Sequence, residues 1–164
     1  MNVTKEELRN ANIGDTIEFG EIEWKILEKG EDTVLIMMEK PLFRKYHSSD
    51  KDITWEKCSL RKWLNNDFFG IFSDAEKEMI AETKLENKGN KKFSTDGGKD
   101  TVDRIFILSI DDVKKYRQYL KGDCRLRSPG KNQKTTAAFD RVIDHQGREN
   151  FINIHTLPVM NLKI

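Results

Sequence analysis

The sequence is poor in everything that staples, ligates or anchors a chain. Its 164 residues include two cysteines, Cys58 and Cys124, and three histidines, His47, His145 and His155. The cysteines form no Cys-x-x-Cys pair, and a domain of this length buries roughly 70% of its unfolded surface without disulfides, so neither is assigned a role. Zinc ligands come in closely spaced pairs, and no histidine here lies near another or near a cysteine. No metal and no cofactor is expected. There is no apolar run approaching the ~18 residues of a membrane span, and Met1–Glu7 lacks the apolar core of a secretory leader. A soluble chain with no membrane partner follows, cytoplasmic as the sequence stands; display on a cell or phage surface would take a leader or further domains.

Charge of one sign is also lacking. Lys and Arg number 29 against 28 Asp and Glu, a net charge of +1. The signs interleave, as in Lys5-Glu6-Glu7-Leu8-Arg9, with no run of five or six like charges, so no nucleic-acid partner is expected. Two catalytic signatures are missing as well: there is no G-x-S-x-G for a strained nucleophile and no Gly-Lys-Ser or Gly-Lys-Thr for a phosphate cradle.

What is present is alternation. Ile17 and Phe19, then Ile22, Trp24 and Ile26, fall on every second position with a slip at Gly20, which predicts a half-buried strand pair broken by glycine. Lys29-Gly30-Glu31-Asp32 is turn chemistry, and Thr33–Met38 is a nearly continuous apolar run suited to a strand covered on both faces, so the two form a hairpin. Pro41 ends the sheet, and Tyr46–Asp52 reads as an exposed loop. Leu60, Trp63, Leu64 and Phe68 recur at helical spacing behind Ser59 as N-cap. Ser73 with Glu76 makes a capping box for a second short helix, and Ser109 with Asp112 opens a third through Val113, Tyr116 and Leu120, stopped by Gly122. Arg104–Leu108 reads as a buried strand. Leu85–Thr101 reads as a long polar loop. The tail returns to strand character over Ala137–Ile143, Phe151–Ile154 and Met160–Ile164, with a turn at His145–Gly147. Trp24, Trp55 and Trp63 run in phase with apolar neighbours, Trp55 being the one best placed for partial exposure.

The polar candidates are few. Asp96, Asp100 and Asp103, with Gly97 and Gly98, bring carboxylates together, but their spacing does not match the calcium loop, which alternates its acids and ends on glutamate. Carboxylates bonding nearby backbone amides fit this loop better. Ser128, in Arg127-Ser128-Pro129-Gly130, fits a tight turn. An enzyme would have to assemble Arg127, Asp103 and Cys124 or His155 in space, since nothing groups them in sequence.

Five ordered segments resemble a bacterial domain family of unknown function. Trp55-Glu56-Lys57-Cys58-Ser59-Leu60-Arg61-Lys62-Trp63-Leu64-Asn65 resembles its W-x-x-S-S-L-R-x-W-L-N, and Phe72–Lys77 its F-S-x-E-E-K. Asp100–Ser109 resembles D-T-x-D-K-V-F-L-L-S, Leu126–Gly130 matches L-R-S-P-G, and Leu157–Leu162 sits where the family ends in V-R-P-A-L-W-I. Cys124 and Arg125 replace its paired tryptophans. The family is similar in its closing third to C-type-lectin-like folds, a group that also holds formylglycine-generating enzymes and variable receptor-binding proteins. The resemblance implies an α+β, C-type-lectin-like domain: a twisted antiparallel sheet joined by the chain's two ends, two to three flanking helices and long loops. One domain spans residues 1–164, with 1–13 as lead-in. The expected function is a non-enzymatic binding or adhesion-type module, with an uncharacterised enzyme or a structural segment of a larger protein as alternatives. Its partner would be a protein or carbohydrate met by Asp96, Asp100 and Asp103, by Arg127, and by Lys131, Asn132, Gln133 and Lys134.

Overall fold

The structure, a computed structural model, describes residues 2–44, 54–88, 97–119 and 154–164. Its centre is a four-stranded antiparallel sheet in the order β1-β2-β3-β8. Strands β1 (Thr16–Phe19), β2 (Ile22–Lys29) and β3 (Thr33–Met38) follow the alternation expected of them. The slip at Gly20 is a two-residue hairpin turn in which Gly20 and Glu21 both take positive φ, 61° and 60°, the twist-matched geometry that tight hairpins require. The last strand, β8 (Val159–Lys163), returns to pair with β3, so the first and last strands, β1 and β8, form the two edges of one sheet.

Two further strand pairs flank this sheet: β4 (Leu42–Arg44) with β7 (Ile154–Thr156), and β5 (Thr83–Leu85) with β6 (Thr101–Asp103). Four short helices complete the described residues: α1 (Lys5–Asn10), α2 (Ser59–Trp63), α3 (Asp74–Met79) and α4 (Ile110–Lys115). Both capping boxes read from the sequence are present. Ser73 and Glu76 open α3, and Ser109 and Asp112 open α4. The architecture is thus mixed α and β, with a small antiparallel sheet. The fully buried Leu8, Phe19, Trp24, Ile36, Leu60 and Ile105 lie in one hydrophobic cluster, to which sheet, helices and connections all contribute.

Three expectations are corrected, and the 1–13 lead-in is found to hold a helix: Thr4 and Glu7 form a capping box, and α1 buries Leu8 completely. Lys29 Nζ then donates to Arg9 O at 2.6 Å and Ala11 O at 2.7 Å, placing a cation on carbonyls that a helix end leaves unsatisfied. The N-cap of α2 is Cys58, whose Sγ accepts from Arg61 N at 3.4 Å, and Ser59 is the first helical residue. Trp55, in a 3-10 turn over Trp55–Lys57, is fully buried, whereas Trp63 is half-buried. The helix continues past Trp63 as a wide π turn over Leu64–Phe68.

The third concerns Arg104–Leu108, which is buried at Ile105, Phe106, Ile107 and Leu108 but is not a regular strand. The physical reason is Asn65. Its Oδ1 accepts from Arg104 N at 2.8 Å and Ile105 N at 3.1 Å, and its Nδ2 donates to Ile105 O at 2.8 Å, so a side chain takes the place of a neighbouring strand. Ladder pairing survives only at Phe106, which exchanges bonds with Val159. The loop Tyr46–Asp52, the helix stop at Leu120 and Gly122, the corner Leu126–Gly130 and the strands expected over 137–143 and 151–153 lie outside the described residues.

Candidate functional site

Of the sequence-derived candidates, Asp100, Asp103 and His155 fall among the described residues. Asp103, on β6, is 2% exposed and has both carboxylate oxygens committed. Oδ2 accepts from Trp55 Nε1 at 2.9 Å and from Thr101 Oγ1 at 2.7 Å, while Oδ1 accepts from Arg61 Nε at 2.7 Å. Arg61 Nη1 also donates to Glu56 O at 3.0 Å. A buried carboxylate is tolerable only when its lone pairs are met by donors and its charge by a cation, and here Trp55, Thr101 and Arg61 do both. The tryptophan, arginine and asparagine of the Trp55–Asn65 segment therefore grip Asp103 and the backbone beside it, tying α2 to β6. This hub is scaffolding, and an enzyme that drew on Asp103 would have to dismantle it.

Asp100 is exposed and does something else: its Oδ1 accepts from Asn87 N at 3.0 Å. The carboxylate bonds a backbone amide, as expected for this loop. Asn87, 6% exposed, reaches across with Nδ2 to Lys99 O at 2.9 Å and Thr101 Oγ1 at 3.3 Å. The neighbouring glycines have a packing reason. A Cβ on Gly97 would lie 2.1 Å from Asn87 O, and Gly98 has φ +75° with its Cβ position 2.8 Å from that of Thr54. Among the described residues no group of three or more His, Cys, Asp or Glu is disposed to hold a metal ion. His155 stands on β7 opposite Phe43. Asp96, Cys124, Arg127, Lys131, Asn132, Gln133 and Lys134 lie outside the described residues.

A concave site lies elsewhere, and its residues carry little local signal. A cleft of about 410 Å³ opens over the face of the sheet shared by Glu28, Leu35 and Asn161, walled by β5 on one side and α4 on the other. Glu28 on β2 pairs in register with Leu35 on β3, which pairs with Asn161 on β8. Asn161 Nδ2 then donates to Thr83 Oγ1 at 2.9 Å. The register of β2 slips between Ile26 and Glu28, and with both Ile26 and Leu27 buried the strict alternation of the strand breaks here. That interruption, and the amide Asn161 among the buried residues of β8, were the only marks the sequence carried of the cleft.

At the α4 wall, Glu28 Oε2 accepts from Lys115 Nζ at 2.6 Å and from the Tyr116 hydroxyl. The Lys115 and Tyr116 bonds hold the Glu28 carboxyl below its usual range, and the Glu28 bond raises Lys115. Burial, with the Glu28 carboxylate beside it, pushes the Tyr116 hydroxyl up to about 12. A phenol so shifted is a hydrogen-bond donor at neutral pH and a poor general base. The opposite rim is Glu86 and Lys88, the first residues of the loop beyond β5.

Among the described residues no helix is long and apolar enough to cross a membrane. The family described as Domain of unknown function (DUF6273) matches residues 31–150. The Trp55–Arg61–Asp103 hub falls wholly within that span, while the cleft takes Glu28 and Asn161 from outside it. No curated protein and no solved structure matches the chain.

Proposed function

The chain belongs to this family of unknown function, and we propose that it is a non-enzymatic binding or adhesion-type module whose ligand, a protein or a carbohydrate, is met at the cleft and the loops beside it. The observation that carries this reading is the cleft itself. Its wall and rim offer donors and acceptors, from Glu28, Asn161, Thr83 and Tyr116, around the half-buried Leu35. A few convergent polar groups over an apolar floor are what small ligand sites are built from. Glu86 and Lys88 stand on the rim, and Asp96 and Asp100 are proposed as further contacts. Arg127, Lys131, Asn132, Gln133 and Lys134 are proposed with them.

A C-type-lectin-like architecture is part of the same proposal. It is supported by the last strand, β8, returning to lie beside β3 in the sheet that the first strands begin. Fold alone does not carry function, so the weight rests on the site. The test is a screen of the purified chain against glycan panels and surface proteins. Selective binding is expected. No binding above background, together with a measurable hydrolytic or oxidative activity, would overturn the reading.

A further inference from the structure

The lining of the cleft discriminates between ligand classes. Four acids, Glu28, Glu86, Asp111 and Asp112, face three lysines, Lys84, Lys88 and Lys115. Most of these charges are already answered within the protein. Lys115 sits 2.6 Å from Glu28, Lys88 Nζ lies 3.5 Å from Glu86, and Asp112 caps α4 by accepting from Ser109 N at 3.0 Å. The remaining two, Lys84 and Asp111, are opposite in sign, so the cleft presents no cluster of one sign to an anionic or cationic ligand. A neutral ligand with many hydroxyls asks for no such cluster. It would exchange hydrogen bonds with a carboxylate, an amide and hydroxyls, and rest its C–H face on Leu35.

An extended peptide is the other neutral occupant of a sheet-floored cleft, and the backbone argues against it. Peptides dock on sheets by adding a strand to an open edge. The strands that floor this cleft are paired: β3 lies between β2 and β8, and the outer edge of β8 exchanges bonds with Phe106 and accepts from Ala81 N. At about 410 Å³ the cleft lies at the small end of the ~300–1,000 Å³ common for small-molecule sites, too small for the face of a folded protein.

We propose that the cleft between β3, β8, β5 and α4 is a binding site for a neutral saccharide unit, held by Asn161, Thr83 and the Glu28–Tyr116 pair over Leu35. This rests on the binding-module reading and narrows it to one ligand class at one place. The experiment is an amide-resolved NMR titration of the full chain with glucose, galactose, mannose and N-acetylglucosamine. Each is taken to about 10 mM, enough to load most of a site with a millimolar Kd.

The expected result is a set of shifts at the Asn161 side-chain amide and the Leu35 and Thr83 backbones, unchanged by added salt. Binding should be about tenfold weaker in Thr83→Val, which keeps the side-chain shape and removes the hydroxyl. Asn161→Ala should behave alike; if it loses spectral dispersion, Thr33→Arg, which crowds the cleft from the surface, replaces it. Absence of cleft shifts with all four sugars overturns the proposal, as does salt-sensitive binding. A sugar or protein bound elsewhere on the surface overturns the cleft assignment and leaves the binding-module reading standing. Turnover without binding overturns both.

Discussion

Replacing Asp103 by Ala removes the acceptor for three donors at once, and the structure allows its cost to be worked out. Trp55 Nε1 and Thr101 Oγ1 are in buried positions, so each loses a bond to a carboxylate and gains no water. Leaving a buried donor unpartnered costs about 1–3 kcal/mol. Arg61 behaves differently, because a quarter of its side chain is exposed and its guanidinium retains the bond to Glu56 O, so its share is nearer 1 kcal/mol. Against these losses stands the relief of desolvating one carboxylate, which keeps the total below the simple sum. A destabilisation of about 3–4 kcal/mol is expected.

Urea unfolding followed by tryptophan fluorescence and circular dichroism gives that number as a lowered midpoint at constant slope. Crossing Asp103→Ala with Trp55→Phe isolates the indole bond, with a coupling of about 1–2 kcal/mol. The reasoning is refuted if Asp103→Ala costs less than about 1 kcal/mol, or if the two substitutions add without coupling.

Other expectations follow from the same kind of reading. Glu21 holds φ 60° without being glycine, so Glu21→Gly should stabilise the β1–β2 hairpin by about 0.5–1 kcal/mol, the left-handed strain relieved less the extra freedom of the unfolded glycine. Gly20→Ala should do the opposite and cost more than about 2 kcal/mol, because its Cβ would lie 2.4 Å from Phe72 Cε1; equal midpoints in a urea titration would contradict both. The Glu28 cluster should give stability two pH limits. Glu28 is held below its usual value, so its contribution is complete above about pH 4.5 and fades as pH falls through the lower folded value. Tyr116 is raised from 10.0 to about 12 and Lys115 is raised as well, so their contribution is complete below about pH 10 and fades through the alkaline range above it. Glu28→Gln should remove the acid limb and weaken the alkaline one, which the burial of Tyr116 sustains, in urea midpoints measured against pH. An unchanged profile would show that the cluster does not couple to folding.

The parts of the fold legible in the sequence were those set by local pattern. Alternation from Ile17 to Ile26 and the run Thr33–Met38 produced the sheet, and the Ser73–Glu76 and Ser109–Asp112 pairs produced helices where the capping box put them. The same signature stands at Thr4–Glu7, but Leu8 alone marks an apolar face behind it, too little periodicity to announce a helix. Arg104–Leu108 has strand composition, yet Asn65, some 40 residues away, supplies its backbone partners; no local pattern can reveal that. Trp55 stood beside a polar loop and suggested exposure. Its burial depends on an aspartate 48 positions on. The cleft was illegible for the same reason, since Glu28, Leu35, Thr83, Tyr116 and Asn161 meet only through sheet register and the packing of α4.

Trp55, Arg61 and Asp103 form a largely buried scaffold that ties α2 to β6, and none of them lines the proposed cleft. Hydrogen exchange at the Trp55 indole N–H tests this most directly. Fully buried and bonded to Asp103, it should exchange only through global unfolding, as slowly as the indole of Trp24, which donates to Phe19 O at 2.9 Å. Exchange at the rate of a solvent-exposed indole, with Trp24 still protected, would contradict the account.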